Sequence, residues 1–157
     1  MEFIVISGMS GAGKSQAASF LEDIGYFVVD NMPAPLIPRF AELCMAGQKY
    51  DRAAIVCDIR GGQTFSGLFD ALAALSEMGC AYKILFVEAS PETIIKRYKE
   101  TRRIHPLAKE GQSLDAAVHS EITALEPVRS RAVISLWTAA SRLWPSLARG
   151  WMRRVSL

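Results

Sequence analysis

Eight residues near the amino terminus, Gly8-Met9-Ser10-Gly11-Ala12-Gly13-Lys14-Ser15, fit the pattern G-x-x-x-x-G-K-[ST]. The pattern carries weight only between a strand and a helix, and both neighbours qualify. Phe3-Ile4-Val5-Ile6 is an apolar run the size of a buried strand. From Gln16 to Ile24 the chain reads as a helix, with Ala17, Phe20, Leu21 and Ile24 recurring on one face and Gly25 as the stop. Strand, glycine-rich turn and helix aim backbone N–H groups and a helix N-terminus at one anion site. Gly8, Gly11 and Gly13 permit the tight turn and the close approach of backbone to phosphate. Lys14 is expected at the β- and γ-phosphates and the Ser15 hydroxyl on magnesium. Residues 8–15 therefore predict a site for a nucleoside triphosphate with Mg2+.

The following acids and bases are judged against that site. Tyr26-Phe27-Val28-Val29-Asp30 is a short strand ending in a carboxylate, at the edge where open α/β sheets bind ligands. Asp30 is read equally as holder of a magnesium-bound water, as positioner of a second substrate, or as the cap of the turn at Asn31. Arg52 to Cys57 form a clearer strand delivering Asp58, the arrangement of a Walker B acid that holds magnesium directly or through water. Arg60 and Gly61-Gly62 leave the same edge as a phosphate-contacting or solvated loop. Glu88, closing the strand Tyr82–Glu88, is the fallback carboxylate. Beyond Ser90 and Pro91, which suit a helix entry, Lys96, Arg97, Lys99, Arg102 and Arg103 crowd one segment against Glu100 alone. They read as a solvated face or as a lid that stabilises charge on a transferring phosphoryl group, with Arg97, Arg102 and Arg103 the candidates for phosphate contact. His105, before Pro106, reads as a capping or packing residue ahead of a general base.

A length of 157 residues, 50% apolar and 22% charged, suits one globular domain with a substantial core. No apolar run approaches the roughly 20 residues that cross a bilayer. The chain enters a strand at once and shows no signal peptide, so a cytoplasmic setting is expected. Cys44, Cys57 and Cys80 lack the close spacings of zinc sites and read as small buried residues. From Pro127 onward stand six arginines and no acid, which leaves residues 1–126 at a net −4 and argues against a nucleic-acid platform over the whole surface.

Helical patterns follow at Leu36–Cys44, at Phe65–Met78 and from Ser113 to about Leu125, with a last strand at Ala132–Leu136. Five strands alternating with helices predict an α/β P-loop nucleoside triphosphate hydrolase fold, a parallel sheet with helices on both faces. The pattern does not give the strand order. Residues 1–136 are read as the nucleotide domain. Residues 137–157, with Trp137, Trp144 and Trp151 among arginines and Pro145 breaking any long helix, are read as a divergent basic tail.

Several stretches taken together resemble the RapZ/YvcJ family of P-loop proteins. They are Ile6 to Ser15, Leu21 to Tyr26 with Val29 to Pro33, Asp58-Ile59-Arg60, Leu85 to Ser90, and Arg97 to Leu107. The ordered set covers residues 1 to about 132. The resemblance implies ATP and GTP binding with slow hydrolysis and a regulatory role. In the adapter branch it implies presentation of a small regulatory RNA to an endoribonuclease. It carries the phosphate-loop roles to Gly8, Gly13, Lys14 and Ser15, and the acid after the third strand to Asp58. The resemblance further implies a second, carboxyl-terminal domain in family members, which in the adapter branch carries much of the RNA and sugar-phosphate binding. Ser135-Leu136-Trp137-Thr138 departs from the family's Asp-Thr-Ser-like segment, which reads as a truncated or frame-shifted member that keeps nucleotide binding.

Three functions are weighed. The first is a regulatory nucleotide-binding protein with slow ATPase and GTPase activity and a protein partner, in which Lys14 and Asp58 carry the chemistry. The second is a small-molecule kinase with Arg102 and Arg103 on a lid. The third is an RNA-binding module, whose binding would weaken steeply with salt.

Overall fold

The computed structural model describes residues 1–47, 50–58, 65–132 and 134–137, with Phe65, Ser66 and the last four by backbone alone. Arg60, Gly61-Gly62 and the tail beyond Trp137 lie outside the described residues. Eight long apolar residues at the middle of the chain's strands decide the architecture, because each must be covered on both sides. Ile4, Val5 and Ile6 on the first strand, Ile55 and Val56 on the third, and Leu85, Phe86 and Val87 on the fourth are all at most 2% exposed.

The strands are β1 (Glu2–Gly8), β2 (Phe27–Val29), β3 (Arg52–Val56), β4 (Tyr82–Glu88) and β5 (Ile134–Trp137). All pair in parallel, in the order β2-β3-β1-β4-β5. Between and after them run α1 (Lys14–Asp23), α2 (Ile37–Gly47), α3 (Phe65–Glu77), α4 (Pro91–Thr101) and α5 (Leu114–Arg129). Helices cover both faces, as the sequence indicates. With β1 central, the loop that leaves Gly8 stands between the carboxyl ends of β3 and β4, where an open parallel sheet forms its crevice.

Local chemistry explains where the elements stop and start. Ser90 and Ser113 cap α4 and α5, their hydroxyls accepting from the amides of Thr93 at 3.2 Å and Ala116 at 3.2 Å. A 3-10 turn over Ala34–Leu36, with Pro33 extended before it, leads into α2, which starts one residue after the expected Leu36. Helix α5 runs past the predicted end at Leu125 and carries Pro127 inside it. Val128 is fully buried and Arg129 Nε donates to Glu88 at 2.8 Å. These contacts, made after the proline, hold a last turn that local propensity alone disfavours.

Candidate functional site

The phosphate-type loop begins with a glycine that only the sheet can explain. A Cβ on Gly8 would stand 2.0 Å from the Val87 carbonyl oxygen, and the next amide, Met9 N, donates to that same oxygen at 3.0 Å. Gly11, at φ 79°, lies under the Tyr98 ring, which would be 3.1 Å from an added Cβ. Gly13 is the left-handed N-cap of α1 at φ 110°, and no side chain caps the helix. The first amides of α1 thus present the partial positive charge of a helix start at the loop.

Lys14 is 8% exposed and folds back across this turn. Its Nζ donates to the carbonyls of Gly8 at 3.0 Å and Met9 at 3.1 Å, and pairs with Asp58 Oδ1 at 3.1 Å. Three donors therefore meet three acceptors. Asp58 follows β3, fixed by the preceding amide, Cys57 N, which donates to Ile6 O at 2.9 Å. Burial, with Asp58 adding to it, pushes the Cys57 thiol up to about 11. On the other side Asn31, in the left-handed region at φ 55°, donates its amide to Asp30 Oδ1 at 2.8 Å. Asp30 caps that turn and also faces the cleft.

The cleft has a volume of about 580 Å³, and Ser10, Gly11, Gly13, Lys14, Ser15 and Asp58 line it together. Its opposing wall comes from α4 and the segment after it, through Arg97, Tyr98, Thr101 and Arg103. Arg97 Nη1 donates to Gly11 O at 2.8 Å, laying a guanidinium against the loop. Met9 and Ala12, 4% and 0% exposed, belong to the core cluster, and neither they nor Gly8 line the cleft. Arg102 takes the left-handed C-cap of α4 at φ 51°, outside the lining of the cleft, whereas its neighbour Arg103 lies within it. Glu88, 4% exposed, is engaged by Arg129 and does not line the cleft either.

One residue of this site escapes a motif search. Glu121 on α5 is 3% exposed; its Oε1 accepts from Ser10 N at 3.0 Å and from Ser10 Oγ at 2.6 Å. Its Oε2 stands 3.0 Å from Nε2 of His105, itself buried. Leu107 N donates to His105 Nδ1 at 3.2 Å, so Nδ1 is an acceptor, the ring proton is on Nε2, and Nε2 donates to Glu121. His105 is thus a packing and bridging residue, the role expected for it ahead of general base. A signal for Glu121 does exist: it falls on the stripe Val118, Leu125 and Val128, as a carboxylate among buried apolar positions.

The model of the RapZ-like N-terminal domain matches residues 1–148. A protein of Halothermothrix orenii named "Nucleotide-binding protein" is 51% identical over 132 residues, covering 84% of this chain and 46% of that one. A nucleotide-binding protein of Clostridium botulinum (strain Eklund 17B) is 49% identical over 140 residues, 88% of this chain and 47% of its own. The chain thus spans about half the length of the curated relatives it matches. Among solved structures, shikimate kinase from Bacteroides thetaiotaomicron superposes with a TM-score of 0.62 at 17% identity, covering 99% of this chain and 98% of that one. The Deinococcus radiodurans tunicamycin resistance protein gives 0.65 at 19% identity, covering 99% and 96%. At such identities the likeness concerns the fold alone. The matched model, the relatives and the phosphate-type loop between β1 and α1 lead to one conclusion: this chain belongs to the RapZ-like N-terminal domain family.

Proposed function

We propose that the cleft binds a nucleoside triphosphate, ATP or GTP, and hydrolyses it slowly, so that nucleotide state regulates a protein partner in the cytoplasm. The observation that carries this reading is convergence. Lys14 at the uncapped start of α1 and Asp58 after β3 reach one cleft from two neighbouring elements. The curated relatives named as nucleotide-binding proteins support it. In this reading residues 1–136 form the nucleotide domain. The loop amides and Lys14 receive the phosphates, with the lysine aimed by the Gly8 and Met9 carbonyls.

The Ser15 hydroxyl and the Asp58 carboxylate line the same cleft and are oxygen donors of the kind a hard cation takes. They fit Mg2+, which when bound offsets phosphate charge. Arg97 and Arg103 on the facing wall add positive charge that would offset negative charge on a transferring phosphoryl group.

A kinase reading is favoured by one observation: the cleft continues past the loop to Asp30, Asn31 and Arg103, a polar wall suited to a second substrate. An RNA-binding reading would draw on the exposed Arg102 and Arg103 and calls for steep salt dependence. Phosphate release from magnesium-ATP and magnesium-GTP, with and without hydroxylated acceptors, separates the first two readings. Slow release from both nucleotides, independent of acceptor and lost in Lys14→Ala, supports the regulatory hydrolase. Transfer to one acceptor makes the protein a kinase.

A further inference from the structure

The bonds around Glu121 close a circuit that begins and ends on adjacent residues of the phosphate-type loop. Ser10 gives both its amide and its hydroxyl to Glu121 Oε1, and Glu121 Oε2 takes the proton-bearing Nε2 of His105. The His105 ring lies 5.0 Å from the Tyr98 ring. Tyr98 in turn covers Gly11, the residue after Ser10. Helix α4, helix α5 and the turn at His105 therefore grip the loop together, with Tyr98 and Ser10 at the cleft and Glu121 and His105 buried behind them.

A carboxylate buried this deeply is costly unless donors surround it, and here three do. Hydrophobic packing would hold α5 in place at less cost. What the carboxylate adds is direction. With both Ser10 donors turned to α5, the short turn closed by Ala12 N on Met9 O at 3.1 Å has one orientation. The Gly13 cap then starts α1 facing the cleft. The same carboxylate fixes His105, two residues after the cleft-lining Arg103.

We infer that Glu121 is a positioning residue for the phosphate loop and that, through His105, it sets loop and arginine wall as one unit. The inference rests on the nucleotide reading above. It assigns Glu121 no contact with the ligand. A shift in the loop on binding is transmitted to the segment around Arg103, and displacement of that segment loosens the loop.

The test is equilibrium binding of magnesium-ATP to the full chain and to Glu121→Gln, Ser10→Ala, Lys14→Ala and Glu126→Gln. Side-chain nitrogen NMR of His105 accompanies it. Glutamine keeps the size of Glu121 but sets an amide donor against either His105 Nε2–H or the Ser10 donors. Affinity is expected to fall about tenfold in Glu121→Gln and about threefold in Ser10→Ala, the range for one disturbed buried hydrogen bond. Exposed Glu126 is the neutral control on the same helix. His105 should show its proton on Nε2 in the unmodified chain, and its resonances should move when nucleotide binds although it touches none.

Glu121→Gln and Ser10→Ala binding as tightly as the unmodified chain overturns the inference, as does a His105 proton on Nδ1. Should Glu121→Gln fail to fold, Ser10→Ala and the His105 nitrogens decide it. Absence of binding by the unmodified chain overturns the nucleotide reading first, and this inference with it.

Discussion

Two anchors hold the phosphate-type loop, and they differ in kind. On the cleft side Lys14 ties the carbonyls of Gly8 and Met9 to Asp58. On the far side Glu121 ties Ser10 to His105. The first anchor is made of groups a ligand would use, so binding must rearrange it. The second joins a cleft-lining residue, Ser10, to two buried groups, Glu121 and His105, behind it. A loop held on one side by exchangeable charge and on the other by a buried carboxylate can change ligands at the first anchor and pass the resulting shift to α5 and His105 through the second.

The sharpest way to break this comparison is to remove each anchor and set ligand binding against stability. Lys14→Ala should cut nucleotide affinity and phosphate release by about 100-fold or more, from the loss of a charge that meets phosphate. It should cost about 1–3 kcal/mol of folding stability, because Asp58 loses a partner. Glu121→Ala should show the reverse profile: about 3–5 kcal/mol of stability, since buried donors of Ser10 and His105 are left without their acceptor at about 1–3 kcal/mol each, but a smaller loss in affinity. Equal profiles in denaturant unfolding and binding would dissolve the distinction.

A double-mutant cycle refines it. Ser10→Ala with Glu121→Gln should couple by about 1 kcal/mol, whereas Ser10→Ala with Asp58→Asn should add within about 0.5 kcal/mol. A weaker effect is expected from Ser90→Ala, which removes the cap of α4 for about 1 kcal/mol and leaves Lys14 in place. Its affinity should stay close to that of the unmodified chain.

The smallest effect is alkaline. Burial first, and then the Glu2 hydrogen bond and charge, hold the Tyr26 phenol well above its ordinary value of 10.0. The folded molecule therefore keeps a proton that the unfolded chain gives up, and stability should fall as pH rises through the ordinary phenol range. Cys44 and Cys80, raised by burial, contribute with the same sign from about the ordinary thiol range upward. Denaturant midpoints at about pH 8 and about pH 10.5 check this, and Tyr26→Phe should flatten the slope.

How much of this was legible follows from what each feature depends on. The sequence yields the strand Tyr82–Glu88 to the residue, because continuous apolar runs report burial on both faces. It misses the end of α5, because the contacts of Val128 and Arg129 beyond Pro127 are tertiary. Strand order lies wholly outside a linear pattern. For the site, Lys14 and Asp58 are legible because a spaced motif and a strand-ending acid each carry their own context. Arg102 and Arg103 look equivalent as letters, yet a left-handed cap places Arg102 outside the lining of the cleft. Glu121 pairs with a residue 111 positions away, and only its place on an apolar stripe hints at it.

The first glycine of the loop has a consequence for engineering. Because the Val87 carbonyl fills the space a Cβ on Gly8 would need, the neighbouring strand, not any ligand, dictates that residue. Residues 8–15 are therefore not a portable cassette. Grafted onto another scaffold, the segment would need a parallel neighbour in the register Gly8↔Val87 that sends its carbonyl to the next amide. The transplantable unit is two adjacent strands and the turn between sheet and helix, and a graft of the eight residues alone would reproduce the spelling without the shape.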